Sequence, residues 1–256
     1  MGRRVQDGVI HRLIAKWLKA GVWEEGKVSH PEKGTPQGGV ISPLISNIYL
    51  HEVLDKWFVG AVQPACRGRT FMVRFADDFI MGFERLEDAQ RVQQVLAKRC
   101  ARFGLEINAE KTRLVRFGRP PIGGARPEEK PGSFDFLGFT HYWGKSRRGN
   151  QVVMRKTAGS RFRRTLRNIR EWGWKHRHLP MREQQCRLNE MLRGHDAYYG
   201  ITGNYRMLQR LRWEVAKMWR KWLARRNRGK SPNWEKFNAM LRVFPLTPPR
   251  VVHSRM

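Results

Sequence analysis

Thr70-Phe-Met-Val-Arg-Phe-Ala-Asp-Asp-Phe-Ile-Met-Gly-Phe83 is the stretch whose reading decides the fold. Phe71, Val73 and Phe75 alternate with Met72 and Arg74 at the period of a strand; Asp77-Asp78 interrupts, and Phe79 to Phe83 resumes an apolar run. The pattern predicts strand, tight turn, strand. Asp is a favoured turn residue for backbone reasons alone, so the pair by itself fits turn chemistry. Adjacent carboxylates repel, however, and placing both at a tight turn is costly unless a cation sits there. A local acidic site also suits a divalent metal that couples a phosphate-binding chain to phosphoryl chemistry.

Outward from the hairpin, helical periods take over. Asp7 can cap a helix whose Val9, Ile10, Leu13, Ile14, Trp17 and Leu18 make one buried stripe, ended by Gly21. A Gly- and Pro-rich loop, Lys33 to Gly39, leads to Ser42-Pro43, read as N-cap and first-turn Pro of a second helix with Leu44, Ile45, Ile48, Val53, Leu54 and Trp57 on its core face. A third helix covers about 86–103 and stops before Gly104. Short strands are expected at 105–107, 113–117 and 134–139, and a basic hairpin over 139–156. From 159 onward the pattern is helical: one helix through Phe162, Leu166, Ile169 and Trp172, one from Pro180 to Tyr199, and one through Leu208, Leu211, Val215, Trp219 and Trp222.

Charge divides the same way. The 256 residues carry 51 Lys+Arg and 22 Asp+Glu, a formal +29, with a hydrophobic fraction of 40% and 10 Trp. That composition excludes a disordered basic tail and points to a folded protein that neutralises phosphates. Residues 141–256 hold 29 of the basic and 6 of the acidic side chains, a net of +23, and seven of the Trp; residues 1–140 are near balance at +6. The expected domains are therefore 1–140 and 141–256. Cys66, Cys100 and Cys186 have no zinc spacing, and no 18-residue apolar run exists, so no membrane partner is expected. A reduced, cytoplasmic setting fits better than an organellar one.

The loop Gly34-Thr-Pro-Gln-Gly-Gly39 is not a Walker A, because the Gly-Lys-Ser/Thr end is absent, yet its backbone amides can approach a nucleotide or template. Taken in order, the segments resemble group II intron reverse transcriptases of the bacterial type lacking an endonuclease domain. Gly34-Thr-Pro-Gln-Gly-Gly-Val-Ile-Ser-Pro-Leu-Ile-Ser-Asn-Ile-Tyr-Leu50 looks like their template and nucleotide motif. Phe75-Ala-Asp-Asp78 looks like their metal-binding palm hairpin, with Phe where Tyr is usual. Gly104-Leu-Glu-Ile-Asn-Ala-Glu-Lys-Thr112 and Phe136-Leu-Gly-Phe139 resemble the next two motifs. Leu192-Arg-Gly-His-Asp-Ala-Tyr-Tyr-Gly200 resembles the maturase (thumb) domain, and Pro248-Pro-Arg-Val-Val-His253 the close of such chains.

The resemblance implies an α+β fold: a partial reverse-transcriptase palm, a small antiparallel sheet with helices, followed by an α-helical thumb. It implies an RNA-directed DNA polymerase and intron maturase whose partners are group II intron RNA, a DNA target or primer and deoxynucleoside triphosphates. Asp77 and Asp78 would be the catalytic and metal-binding carboxylates of a two-Mg²⁺ site. Gln37, Gly38, Phe75 and Lys111 would contact nucleotide, template or primer. Arg161, Arg163, Arg164, Arg167, Arg193, Lys217, Arg220, Lys221, Arg225 and Arg226 would bind RNA, while Trp172, Trp213, Trp219 and Trp222 are read as core rather than base-stacking residues.

One departure stands out. Polymerases of this type need a further palm Asp before the Gln-Gly-Gly loop, and the only upstream Asp here is Asp7, at the head of a helix. The expectation is an N-terminally truncated member with weak or no polymerase activity alone, its site completed, if at all, by a separately encoded palm and fingers piece. The alternatives are a non-catalytic intron-RNA-binding splicing factor and a degenerate truncated product.

Overall fold

The structure, a computed structural model, describes residues 6–19, 22–24, 27–29, 41–121, 131–226 and 232–253, without the side chains of 19, 22–24, 27–29, 225 and 226. It is a mixture of helices and small antiparallel sheets in two compact units, Met1–Leu114 and Val115–Met256.

In the first unit, α1 (Gly8–Lys19) starts as expected: the Asp7 carboxylate accepts from the backbone N–H of Val9 at 2.7 Å. Its apolar stripe is not buried, however. Val9, Ile10, Leu13, Trp17 and Leu18 are all exposed, which corrects the expected core face. The short strands β1 (Val22–Glu24) and β2 (Lys27–Ser29) pair antiparallel. The second helix begins at Ser42, but its N-cap is Ile41 with no side-chain cap, and Pro43 sits in the first turn. From α2 (Ser42–Leu50) the helix runs on through two π-helical stretches, His51–Asp55 and Phe58–Val62, into α3 (Gln63–Ala65). These wider turns place Val53, Leu54, Phe58 and Val62 on the buried side, whereas Leu44 and Ile48 stay exposed.

Against that face pack α4 (Leu86–Arg102), through Val92, Leu96 and Cys100, and one side of the hairpin β3 (Thr70–Phe75) and β4 (Asp78–Phe83), through Met72, Phe79, Met81 and Phe83. The segments 105–107 and 113–117 form no sheet among the described residues; Leu105 and Ile107 use their side chains to cover the Leu54–Leu96 core instead.

The second unit opens with a three-stranded antiparallel sheet, β5 (Phe134–Phe136), β6 (Phe139–Lys145) and β7 (Gln151–Thr157). Leu137 and Gly138, at φ 48° and 79°, make the two-residue turn that splits the expected 134–139 strand, a left-handed pair that matches strand twist. Four helices follow, α5 (Gly159–Lys175), α6 (Met181–Tyr199), α7 (Tyr205–Arg226) and α8 (Trp234–Val243). They close on Phe162, Ile169, Leu188, Leu192, Leu211, Val215, Trp219, Trp222 and Phe237. Gly173 lets α5 approach α7: a Cβ there would fall 2.0 Å from the Trp222 ring. The compact units divide at Leu114/Val115: β5 pairs with β6, Phe117 meets Phe134 edge-on and lies beside Trp143, and Phe134 stacks on His141.

Candidate functional site

The tip of the β3–β4 hairpin presents the acidic pair. Phe75 pairs with Asp78, so the two-residue turn is Ala76-Asp77, and Asp78 opens β4 rather than lying in the turn. Ala76 takes φ 53°, the left-handed region in which a non-glycine residue is strained. The strained turn is held from below. Arg74 donates from Nε to Asp55 Oδ1 and from Nη2 to Asp55 Oδ2, both at 2.7 Å, and from Nη1 to Asn47 Oδ1 at 2.9 Å and to the Ala76 carbonyl at 2.8 Å. One guanidinium fork thus ties the helix Ser42–Ala65 to the backbone just before Asp77.

The brace is shielded as well as well aligned: the Arg74 side chain is 12% exposed and that of Asp55 26%. The Arg74 hydrogen bond holds the Asp55 carboxyl below the usual carboxylate range, and His51, at 3.0 Å, adds to it. Asp55 in turn raises the Arg74 guanidinium further. At the other end of the hairpin, buried Asp88 accepts from the N–H groups of Arg67 and Gly68 at 2.9 and 3.0 Å, which fixes the entry to β3 and lowers its own carboxyl pKa, Gly68 contributing most. Sequence reading does not single out Arg74, Asp55 and Asn47, which hold the acidic tip, or Asp88, which holds the far end of the hairpin. A charged residue on the Met72 side of an otherwise apolar strand was the signal, since such a charge needs a partner inside.

Asp77 and Asp78 are both exposed, and neither carboxylate takes part in a hydrogen bond or ion pair among the described residues. Free oxygen donors side by side are the kind of ligand set Mg²⁺ takes, which commonly uses one or two carboxylates and completes its shell with water and phosphate oxygens. Among the described residues no third His, Cys, Asp or Glu joins them. Phe75, directly across from Asp78, is 64% exposed and offers its ring on the same sheet face. Lys111 lies on the turn after α4, its N–H on Asn108, exposed and with no bond to the hairpin among the described residues. Gln37 and Gly38 lie outside the described residues.

In the second unit Arg161, Arg163, Arg164, Arg167, Arg193 and Lys221 are exposed. Lys217 and Arg220 are half-buried: Lys217 pairs with Glu214 at 2.9 Å, and Arg220 lies 4.2 Å over the Trp234 ring. The side chains of Arg225 and Arg226 lie outside the described residues. Trp219 and Trp222 are core, as expected, and Trp172 is partly buried against that core. Trp213 is a correction: it projects to the surface.

Comparison with known proteins gives the two units a lineage. Residues 4–141 match the family described as reverse transcriptase (RNA-dependent DNA polymerase), and residues 161–240 match the group II intron, maturase-specific domain. Group II intron-encoded protein LtrA of Lactococcus lactis subsp. cremoris is 50% identical over 54 residues, 21% of this chain and 9% of that protein. Protein YkfC of Escherichia coli (strain K12) is 36% identical over a stretch covering 31% of this chain and 27% of that protein. Telomerase reverse transcriptase of Bos taurus is 29% identical over 39% of this chain and 8% of its own length. The chain therefore spans less than a third of each of these relatives. With the acidic hairpin inside the first match and the basic helices inside the second, the chain belongs to the reverse transcriptase family and carries a group II intron maturase-specific domain.

Proposed function

We propose that the chain serves RNA-directed DNA synthesis and maturation of a group II intron, with Asp77 and Asp78 as the carboxylates of a two-Mg²⁺ site and the helical unit as the RNA-binding element. The observation that carries this reading is the pair of unengaged carboxylates at the tip of a hairpin that Arg74 braces. Bound Mg²⁺ supplies charge stabilisation for the attacking 3′-oxygen and the departing pyrophosphate of an in-line nucleotidyl transfer. The chain's own share is placement. Asp77 in the braced turn and Asp78 at the start of β4 present their oxygens side by side, Phe75 offers an exposed ring beside them for a primer end, and Gln37, Gly38 and Lys111 contact nucleotide and template. Exposed arginines on α5, with Arg193 and Lys221, meet phosphates, so affinity for RNA falls steeply with salt.

A second reading, a non-catalytic RNA-binding splicing factor, draws support from the lack of a third ligand beside Asp77 and Asp78 among the described residues. On that reading polymerisation by this chain alone is weak or absent. The cytoplasm of a bacterium is proposed as the setting from the family resemblance alone. Primer extension with Mg²⁺ separates the two readings. Asp77→Asn should lower extension by several orders of magnitude in any active assembly, because a metal clamp supplies several kcal/mol to the transition state, and it should leave RNA affinity unchanged. Equal loss of extension and RNA binding would show the pair to be structural, and robust cDNA from the chain alone would refute the weak-polymerase reading.

A further inference from the structure

We infer that the exposed face of Trp213 is a stacking platform for an unpaired nucleobase of a single-stranded nucleic acid. The inference rests on the RNA-binding reading above and gives it a contact that reads bases rather than phosphates.

The apolar seam of α7 runs through Leu211, Val215, Trp219 and Trp222, all buried. Trp213 lies off that seam and is 52% exposed. Its indole does not hang free. It stacks on Trp234 of α8 with centroids 5.2 Å apart and planes only 7° from parallel. The Trp234 ring also carries Arg220, whose guanidinium is 4.2 Å from the centroid and whose Nη1 donates to the Pro232 carbonyl at 3.1 Å. Seven residues of helix rise about 10.5 Å, and the two separations nearly fill that rise. Trp234 is therefore the middle layer of a column that runs Arg220, Trp234, Trp213 along α7. The middle ring is fixed in turn by an edge contact to fully buried Phe237. Trp213 is the open end.

A rigid aromatic face at the surface loses little conformational entropy when a flat ligand adds to it. The charge around it selects which ligand. Arg206, Arg210 and Lys217 recur with Trp213 at the spacing of one helix face, and Glu214, paired with Lys217, is the acid beside them. Arg206 and Arg210 are exposed, and Arg210 rests on the Phe162 ring at 5.5 Å. An apolar protein surface would offer Arg206 and Arg210 no anion. A nucleotide strand matches both parts at once, its base extending the aromatic column and its phosphates meeting the arginines.

The test uses the full chain, a labelled single-stranded RNA dodecamer and a duplex RNA of the same sequence, with binding followed by anisotropy over a salt series. Trp213→Leu should weaken binding to the single strand about five- to a hundredfold. It should leave the salt slope unchanged and duplex affinity within about twofold, while Trp213→Phe recovers most of the loss. A 5-iodouridine strand should crosslink to wild-type chain at Trp213, mapped by mass spectrometry, which keeps the question open to decision even if the Leu variant melts early. Equal single-strand binding by wild type and Trp213→Leu, parallel losses on single strand and duplex, or a crosslink map without Trp213 would each overturn the platform while leaving RNA binding intact. Failure of the wild-type chain to bind either RNA at low salt would overturn the underlying reading and the platform with it.

Discussion

The two compact units place their apolar surface differently. In Val115–Met256 four helices close on a core in which Trp219 and Phe237 are fully buried, while Trp174, Trp213 and Trp234 stay at the surface. In Met1–Leu114 the stripe of α1 lies exposed, and so does the outer hairpin face of Phe71, Val73 and Phe75, whose Phe75 adjoins the acidic tip. The helical unit is built as a closed body whose surface carries charge. The hairpin unit keeps its chemistry and its apolar contact surface on one side of the sheet, which is where a substrate or a packed neighbour would have to meet it.

The largest effect should come from opening the closed body. Trp219 is fully buried, and its Nε1–H donates to Gln184 Oε1 at 2.9 Å; Gln184 passes its own N–H groups to the carbonyls of Arg177 and Leu179 at 3.1 and 2.8 Å. Trp219→Ala removes the ring from the core and leaves a buried acceptor unmet, so it should cost about 3–5 kcal/mol. Urea unfolding followed by near-ultraviolet dichroism reads that loss. A cost below about 1 kcal/mol would mean that the helical unit is no tighter than the hairpin unit, and the contrast between them would fail.

That contrast also governs what was legible in the sequence. The hairpin, the helix 86–103 and the thumb helices follow from period and punctuation, and their structural positions agree within a few residues. Periodicity cannot say which face is covered, and there the reading ran out. The α1 pattern predicts a buried stripe that is exposed, and in β3 the covered side carries Arg74 rather than the phenylalanines. Helix α8 was missed, although Asn233 signals its start by accepting from the Lys236 N–H at 2.9 Å, with Trp234, Phe237 and Met240 following at helical spacing. The core reading of Trp213 rests on its place beside the seam of α7, and a shift of one or two positions on a helix is enough to move a side chain from core to surface. In the candidate site the acidic pair was legible from type and spacing. Its brace was not, because Asp55 and Asn47, 19 and 27 residues before Arg74, meet it only through the tertiary fold.

An intermediate effect is expected at that brace. Arg74→Ala should cost about 2 kcal/mol, the worth of a shielded bidentate pair, and should lower polymerisation in an active assembly more than it lowers RNA affinity. Arg74→Lys keeps the charge but cannot span Asp55, Asn47 and the Ala76 carbonyl together, so it should rescue stability only in part. The pH dependence has a definite sign. The Asp55 carboxyl is lowered in the folded chain, so the pair contributes fully above the ordinary carboxylate pKa of about 4 and its contribution is lost as pH falls through the lowered value. The stability gap between wild type and Arg74→Ala should therefore be constant near neutrality and narrow below about pH 4, as seen in denaturant midpoints. A gap that does not change with acid would assign the effect to lost packing.

The smallest effect is the most discriminating for how the tip is held. Ala76 sits at φ 53°, a conformation that costs a non-glycine residue about 1 kcal/mol. Glycine relieves that strain but gives up about 0.5 kcal/mol or more to a freer unfolded chain, so Ala76→Gly should stabilise by less than about 1 kcal/mol. Strain of this kind persists only where the surroundings over-determine it, and the Arg74 bond to the Ala76 carbonyl at 2.8 Å is the evident restraint. With Arg74 replaced by Ala, the turn is free to relax, the strain is gone, and glycine retains only its unfolded-state penalty. Ala76→Gly should then change sign and destabilise the Arg74→Ala background, a reversal that a double-mutant cycle in denaturant detects. The same small gain in both backgrounds would mean that strand register alone imposes the turn, and that Arg74 steadies the helix rather than aiming the two carboxylates.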